Sequence, residues 1–251
     1  MKMNIEGKIA LVTGGGRDIG KEISKTFAAE GVLVAINYNK SSLEAENTAK
    51  EIISNGGKAK IYKADITSYK EVTSMINQIK YDLGTIDFLI NNAGYTKIQK
   101  FVESTPLDWD QQIDTSLKGA INCCHAVAAD MISNKFGKII NLVGDSSRIG
   151  EANLSSTAAA RGGTIALGKS LAKEFGRANI TVNTVSLGLV ETAHSDKAFL
   201  ENNREKIIKS YPLKRIGTPE DVAPIVVFLC SNNASWITGQ VVSVNGGFCM
   251  V

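Results

Sequence analysis

A chain of 251 residues, 43% hydrophobic and 21% charged, has the makeup of an ordinary folded domain and excludes a disordered or fibrous protein. Its 28 basic residues are interleaved with 25 acidic ones for a net charge of +3, so no basic block points to a nucleic-acid or membrane partner. No signal-like segment opens the chain, no apolar run reaches the roughly 18 residues of a membrane span, and Cys123, Cys124, Cys230 and Cys249 lack ligand-like spacing, which together predict a cytoplasmic protein.

Seven β-branched runs read as strands: Ile9–Thr13, Val32–Tyr38, Ala59–Lys63, Phe88–Asn91, Lys138–Val143, Thr181–Ser186 and Val241–Asn245. Between them lie apolar residues at helical spacing, such as Ile19, Ile23 and Phe27 after the first strand and Val72, Met75, Ile76 and Ile79 after the third. Strands alternating with helices imply right-handed βαβ units. The expected architecture is therefore α/β: a single Rossmann-type, doubly wound domain with a seven-stranded parallel sheet, spanning residues 1–251. The alternation loosens at Leu187–Gly217, where a charged segment, Asp196–Lys209, precedes the helix start at Pro219. Such an excursion near strand ends is a candidate lid or partner-binding loop.

Directly after the first strand comes TGGGRDIG, Thr13 to Gly20, opening into a helix over Lys21–Glu30. Glycines in that setting let the backbone turn tightly and approach a pyrophosphate, which sits on the amides of the helix N-terminus. Asp18 stands where the pattern has its second glycine. It either caps the helix or puts bulk and negative charge beside the phosphate. At the end of the second strand, Asn37-Tyr38-Asn39 offers no carboxylate to a ribose 2′-OH, while Arg17 is placed to pair with a 2′-phosphate. NADP(H) is thus favoured over NAD(H), unless Arg17 and Lys40 are merely solvated cations.

With NNAG (Asn91–Gly94), Asp65-Ile66 after the third strand and VNGG (Val244–Gly247) added, the chain resembles the classical short-chain dehydrogenase/reductase family. It is similar to the 3-ketoacyl-carrier-protein reductase branch from Gly7 to Phe248. The resemblance implies a cofactor site formed by Gly14, Arg17, Ile19, Gly20 and Tyr38, by Asp65 and Ile66 beside the adenine, by Asn91, Ala93 and Gly94 along the central strand, and by Thr192 near the nicotinamide amide. It also implies a catalytic Asn, Ser and Tyr-x-x-x-Lys. Those four positions fall on Ser116, Gly144, Thr157 and Arg161. A threonine hydroxyl is far less acidic than a phenol, Gly144 offers no donor, and a guanidinium does not replace an ammonium. General acid–base catalysis contributes roughly 10²–10⁴ in rate and one oxyanion-type donor roughly 10²–10³, so losing both leaves little chemistry.

Asp145, Arg148, Arg161, Glu191 and His194 are expected to border the same cleft, either as solvated side chains or as a repurposed active site. His125, Cys123 and Cys124 are expected to be structural. Three functions follow from the resemblance. The first is a non-catalytic subunit paired with an active short-chain dehydrogenase paralogue in a tetramer, holding NADP(H) weakly or not at all. The second is an NADP(H)-dependent oxidoreductase of altered mechanism, and the third an NADP(H)-binding regulatory protein. No metal is expected.

Overall fold

In this computed structural model, which describes residues 2–251, the first half of the chain runs β1 (Ile9–Val12), α1 (Asp18–Ala29), β2 (Leu33–Tyr38), α2 (Ser42–Ser54), β3 (Lys58–Lys63), α3 (Tyr69–Asp82) and β4 (Phe88–Asn91). The second half runs α4 (Pro106–Ile113), α5 (Gly119–Asn134), β5 (Gly137–Gly144), α6 (Ser146–Ile149), α7 (Ser155–Phe175), β6 (Ile180–Leu187), α8 (Lys197–Ser210), α9 (Pro219–Cys230) and β7 (Val241–Val244). The strands form one sheet in the order β3-β2-β1-β4-β5-β6-β7, and every neighbouring pair is parallel. The order reverses between β1 and β4, and in such sheets the crevice beyond the strand ends at that reversal is where ligands bind.

Alternation along β1 shows why both faces are covered. Ala10 and Val12 enter the core beneath α1, α2 and α9, while Ile9 and Leu11 enter the core beneath α3, α5 and α7. Ile23 and Phe27, four residues apart on α1, are buried in the first layer, and Phe27 stacks on Phe88 of β4 at 5.8 Å. Each side chain so buried contributes about 1.5–3 kcal/mol. Pro106 and Pro219 each open a helix behind a capping box, Thr105 with Asp108 and Thr218 with Asp221. A π-helical turn, Asp114–Lys118, joins α4 to α5 and turns Ser116 inward.

The expected strands are all present, with ends moved by at most one residue. Two other expectations need correction. Helix α1 begins at Asp18, three residues earlier than expected, because the turn needs only Thr13–Arg17 to leave the sheet. The charged excursion is not a loop: Asp196 accepts a 2.9 Å hydrogen bond from the Phe199 amide and starts the helix α8.

Candidate functional site

The turn after β1 is held from β2 and from the end of β4. Thr13 Oγ1 accepts from the amides of Asn92 and Ala93, both at 3.0 Å, and donates to the Ile90 carbonyl at 3.2 Å. Asn92 Nδ2 donates to the carbonyls of Thr13 and Gly14 at 3.0 and 3.2 Å, and the Gly14 amide donates to Asn37 Oδ1 at 3.3 Å. Gly14 itself is left-handed at φ +60°. Gly20 passes so close beneath it that a Cβ there would stand 2.2 Å from the Gly14 carbonyl oxygen. Only glycine fits at that point.

Asp18 also has a left-handed backbone, φ +51°, a conformation that costs a non-glycine residue about 1 kcal/mol or more. Its reading as a helix cap is corrected. The N-cap residue is Arg17, which makes no side-chain cap, and Asp18 instead pairs with His194 Nδ1 at 2.9 Å and lies 3.7 Å from Arg17 Nε. The Asp18–His194 pair ties the segment after β6 to the turn after β1.

Beyond the turn opens a cleft of about 980 Å³ at the reversal of strand order. Of the residues expected at a cofactor, Gly14, Arg17, Ile19, Gly20, Tyr38, Asp65, Ile66, Ala93 and Gly94 line it. Asn91 does not. It lies inside the sheet, donating to Asn141 Oδ1 at 2.9 Å and to Cys124 Sγ at 3.3 Å. Thr192 is also outside the lining, its amide donating to Ser195 Oγ at 2.8 Å. At the outer end, burial raises the Asp65 pKa, but hydrogen bonds from the Thr67 amide and hydroxyl and from Asn39, with the charge of Lys40, outweigh it and hold the carboxyl below its usual range. Asn39, Lys40 and Ser41 complete the ribose side, and the end of β2 presents no carboxylate.

The inner end, where β4 and β5 finish beside α7, is built differently. Thr157 is only 1% exposed, and its hydroxyl donates to Gln112 Oε1 of α4. Ser116, also buried, hydrogen-bonds the backbone of Tyr95, accepting from its amide at 3.3 Å. Arg161, one helical turn after Thr157, carries its guanidinium between two glycines. A Cβ on Gly144 would lie 3.0 Å from Nη1, and a Cβ on Gly94 would lie 3.3 Å from Nη2. Nη2 donates to Thr96 Oγ1 at 3.1 Å, Nε is buried without a partner, and desolvation pulls the pKa of the group below its usual value. None of Ser116, Gly144, Thr157 and Arg161 lines the open cleft.

The other expected border residues go to separate tasks and do not converge. Asp145 is buried, accepting from Ser186 Oγ and Asn245 Nδ2, both at 2.6 Å. Arg148 donates to Ser243 Oγ and the Val251 carbonyl, also at 2.6 Å. Glu191 makes a two-pronged bond to Arg204 at 2.8 and 2.9 Å, and that guanidinium holds it below the usual carboxylate range. His125 Nδ1 meets Tyr69 Oη at 2.8 Å, and burial pushes the Cys124 thiol up to about 12 and Cys123 higher still, which suits structural roles. No cluster of metal-ligating side chains occurs among the described residues. Three residues were missed from sequence. Thr13 and Asn92 pin the turn, as the letters flanking the glycines and the second Asn of NNAG could have signalled, and Tyr95, a half-exposed phenol in the cleft wall, had no motif to mark it.

Compared with known proteins, residues 14–249 match the family model described as enoyl-(acyl carrier protein) reductase. The chain belongs to the short-chain dehydrogenase/reductase family. It is 37% identical over 243 residues to the 3-oxoacyl-(acyl-carrier-protein) reductase of Staphylococcus epidermidis, covering 97% of this chain and 99% of that one. It is 39% identical over 243 residues to the acetoacetyl-CoA reductase of Shinella zoogloeoides, covering 96% and 98%. Among solved structures, a protein of Agrobacterium tumefaciens assigned as a gluconate dehydrogenase superposes with a TM-score of 0.95 at 28% identity, covering 100% of this chain and 99% of that one. The short-chain dehydrogenase/reductase chain is thus an oxidoreductase-family protein similar to 3-oxoacyl-(acyl-carrier-protein) reductases along its whole length. Set against the family's dinucleotide, the cleft fits in part. The cradle at Gly14 and Gly20 and the open ribose side suit an adenosine diphosphate portion, whereas Arg161 stands at the end expected for the nicotinamide ribose.

Proposed function

We propose that this chain is a non-catalytic member of its family, one that pairs with an active short-chain dehydrogenase in a hetero-oligomer. The observation that carries the reading is the state of Thr157: at the position expected for the proton donor stands an aliphatic hydroxyl, buried and committed to Gln112. With Gly144 lacking any side-chain donor beside it, the inner end has neither the acid nor the carbonyl-binding hydroxyl that ketone reduction needs. Outward-facing apolar side chains on α4 and α5 support the pairing. Leu107 and Ile113 of α4 and Ile121 and Ile132 of α5 face outward, although Cys124, Val127 and Met131 of the same stripe serve the core. In this reading NADP(H), favoured over NAD(H) by the neutral end of β2 with Arg17 and Lys40 nearby, binds weakly through its adenosine end. Co-expression with each short-chain dehydrogenase of the same organism, followed by native mass spectrometry, tests the pairing. A mixed tetramer supports it, and a homo-oligomer indifferent to all of them refutes it.

One observation favours a second reading. Tyr95 presents a phenol in the cleft wall next to Thr96, the partner of Arg161, so an NADP(H)-dependent ketoreductase with a relocated acid is the alternative. The names of the relatives, reductases of 3-oxoacyl and acetoacetyl thioesters, point to the substrate class to try. Turnover by the purified chain that disappears in Tyr95→Phe would establish it in place of the first.

A further inference from the structure

The excursion between β6 and α9 leaves the sheet and returns to it at one place. The Gly188 amide donates to the Val244 carbonyl of β7 at 3.2 Å, and the Leu213 amide donates to the Gly246 carbonyl just beyond that strand, also at 3.2 Å. Its two limbs are tied to each other as well. The Leu189 amide donates to Tyr211 Oη at 2.8 Å, the Glu191 amide to the Gly217 carbonyl at 2.8 Å and the Gly217 amide to the Leu189 carbonyl at 3.1 Å, while Tyr211 is buried and stacks on Phe248 at 5.1 Å. What lies between, Thr192–Ser210, is held far less firmly. Leu200 is its one buried residue. Among the described residues, its hydrogen bonds all end within the excursion except one, from His194 Nδ1 to Asp18 Oδ1 at 2.9 Å. Few buried contacts and one outside bond mark a segment that opens more easily than the sheet does.

The local geometry aims that bond. The Ser195 amide donates to the Thr192 carbonyl at 3.2 Å and the Thr192 amide to Ser195 Oγ at 2.8 Å, closing a turn that carries His194. Arg204 reaches back to Glu191 and so ties α8 to the limb that bears this turn. On the other side, Asp18 holds its left-handed backbone at φ +51°, a conformation that persists where the surroundings fix the residue. Asp18 lines the cleft, and no residue of Leu187–Gly217 does. The bond therefore joins the excursion to the cleft wall and not to the sheet.

We propose that Thr192–Ser210 is a hinged cover, fixed at Leu189–Glu191 and at Tyr211–Gly217, and that Asp18 and His194 are the latch that holds it to the glycine turn. Breaking the latch frees the turn and α8 while the hinge, anchored on β7 and Phe248, stays in place. The device stands whether the chain is a non-catalytic partner or a reductase, and it requires no cofactor.

Limited trypsin digestion of the full chain tests it, because Lys197, Arg204, Lys206 and Lys209 lie in the cover and cleavage follows the open population when reclosing is fast. His194→Ala should be cut at these sites about fivefold faster than the wild type, the effect of losing one hydrogen bond, with cleavage at Lys138 of β5 unchanged. Asp18→Gly removes the carboxylate and suits the left-handed backbone, so it should speed the same cuts by a similar factor, and the double variant should be cut no faster than either single one. Hydrogen exchange of the Thr192–Ser210 amides should show the same order without a protease. Cleavage of His194→Ala within about twofold of the wild type, multiplicative effects of the two changes, or equal acceleration at Lys138, the mark of general unfolding, overturns the proposal.

Discussion

The two ends of one cleft have been treated differently. At the outer end, from the glycine turn to Asp65, short polar side chains spend their hydrogen bonds close by, Asn37 on the backbone of the turn and Asn39 and Thr67 on the Asp65 carboxylate, and the crevice stays open. At the inner end, long side chains have moved in and hydroxyls have turned away: Arg161 fills the gap between Gly94 and Gly144, and Thr157 faces α4. Fold stability depends on the first arrangement, because its bonds join β1, β2 and β4, and is indifferent to whether the second performs chemistry. The bonds that hold a scaffold and the groups that would carry a reaction are therefore separable in energy, even within one pocket.

The comparison is broken most severely by turnover. The purified chain with NADPH and a 3-oxoacyl thioester is expected to fall at least about 10⁴-fold below an ordinary rate of 1–10³ per second, followed as loss of nicotinamide absorbance. Activity within tenfold of that range would show that the inner end works after all. Next in size is the outer cradle. Gly20→Ala places a Cβ 2.2 Å from the Gly14 carbonyl oxygen, and chemical denaturation should register a loss of about 3 kcal/mol, against little effect for Gly162→Ala, whose Cβ would have 3.6 Å to the nearest atom.

Two smaller effects sharpen the contrast. Gly144→Ser alone crowds Arg161 and should cost about 1 kcal/mol, while the same change in an Arg161→Lys background should cost less, so a double-mutant cycle reads the coupling directly. Asp18→Gly relieves the left-handed backbone and removes a carboxylate beside the turn. Calorimetric affinity for NADPH should rise several-fold, and that for 2′,5′-ADP by the same factor, since both engage the outer end. The smallest effect concerns α4. Lys97 in ion pairing, with the amide and hydroxyl of Thr105, holds Asp108 well below the usual carboxylate range. Because the folded value is depressed, its contribution is complete above the unfolded value of about 3.9 and fades as pH falls below that. Asp108→Asn should therefore lower the melting temperature at neutral pH, where the contribution is complete, and converge on the wild type as pH falls, flattening the acid limb of the profile.

Most of the frame could be read from residues close in sequence. β-Branched runs locate strands because burial on both faces leaves little else that fits, and Thr105-Pro106 and Thr218-Pro219 announce helices through local capping. The site divides along the same line. Gly14 and Gly20 belong to a turn whose steric demands are local, so their places were legible. The fate of Thr157 was not, since it depends on Gln112, 45 residues away, and neither was the direction of Arg161, which depends on two absent side chains, one at the end of β5 and one in the segment after β4. The paired Asp18 and His194 are 176 residues apart, so a cap was the natural expectation where the structure has a cross-connection. Identity at a position sets which chemistry a side chain can offer; only packing reveals what it is committed to.

The side-chain bonds around the glycine turn have an evolutionary consequence. Thr13, Asn37 and Asn92 hold the turn in shape with protein groups alone, so no ligand has to order it. A mutation at any of them is expected to register first as a loss of stability, whatever the cleft binds. A glycine-turn signature of this kind can thereby be inherited by way of stability, independent of what the cleft beside it does.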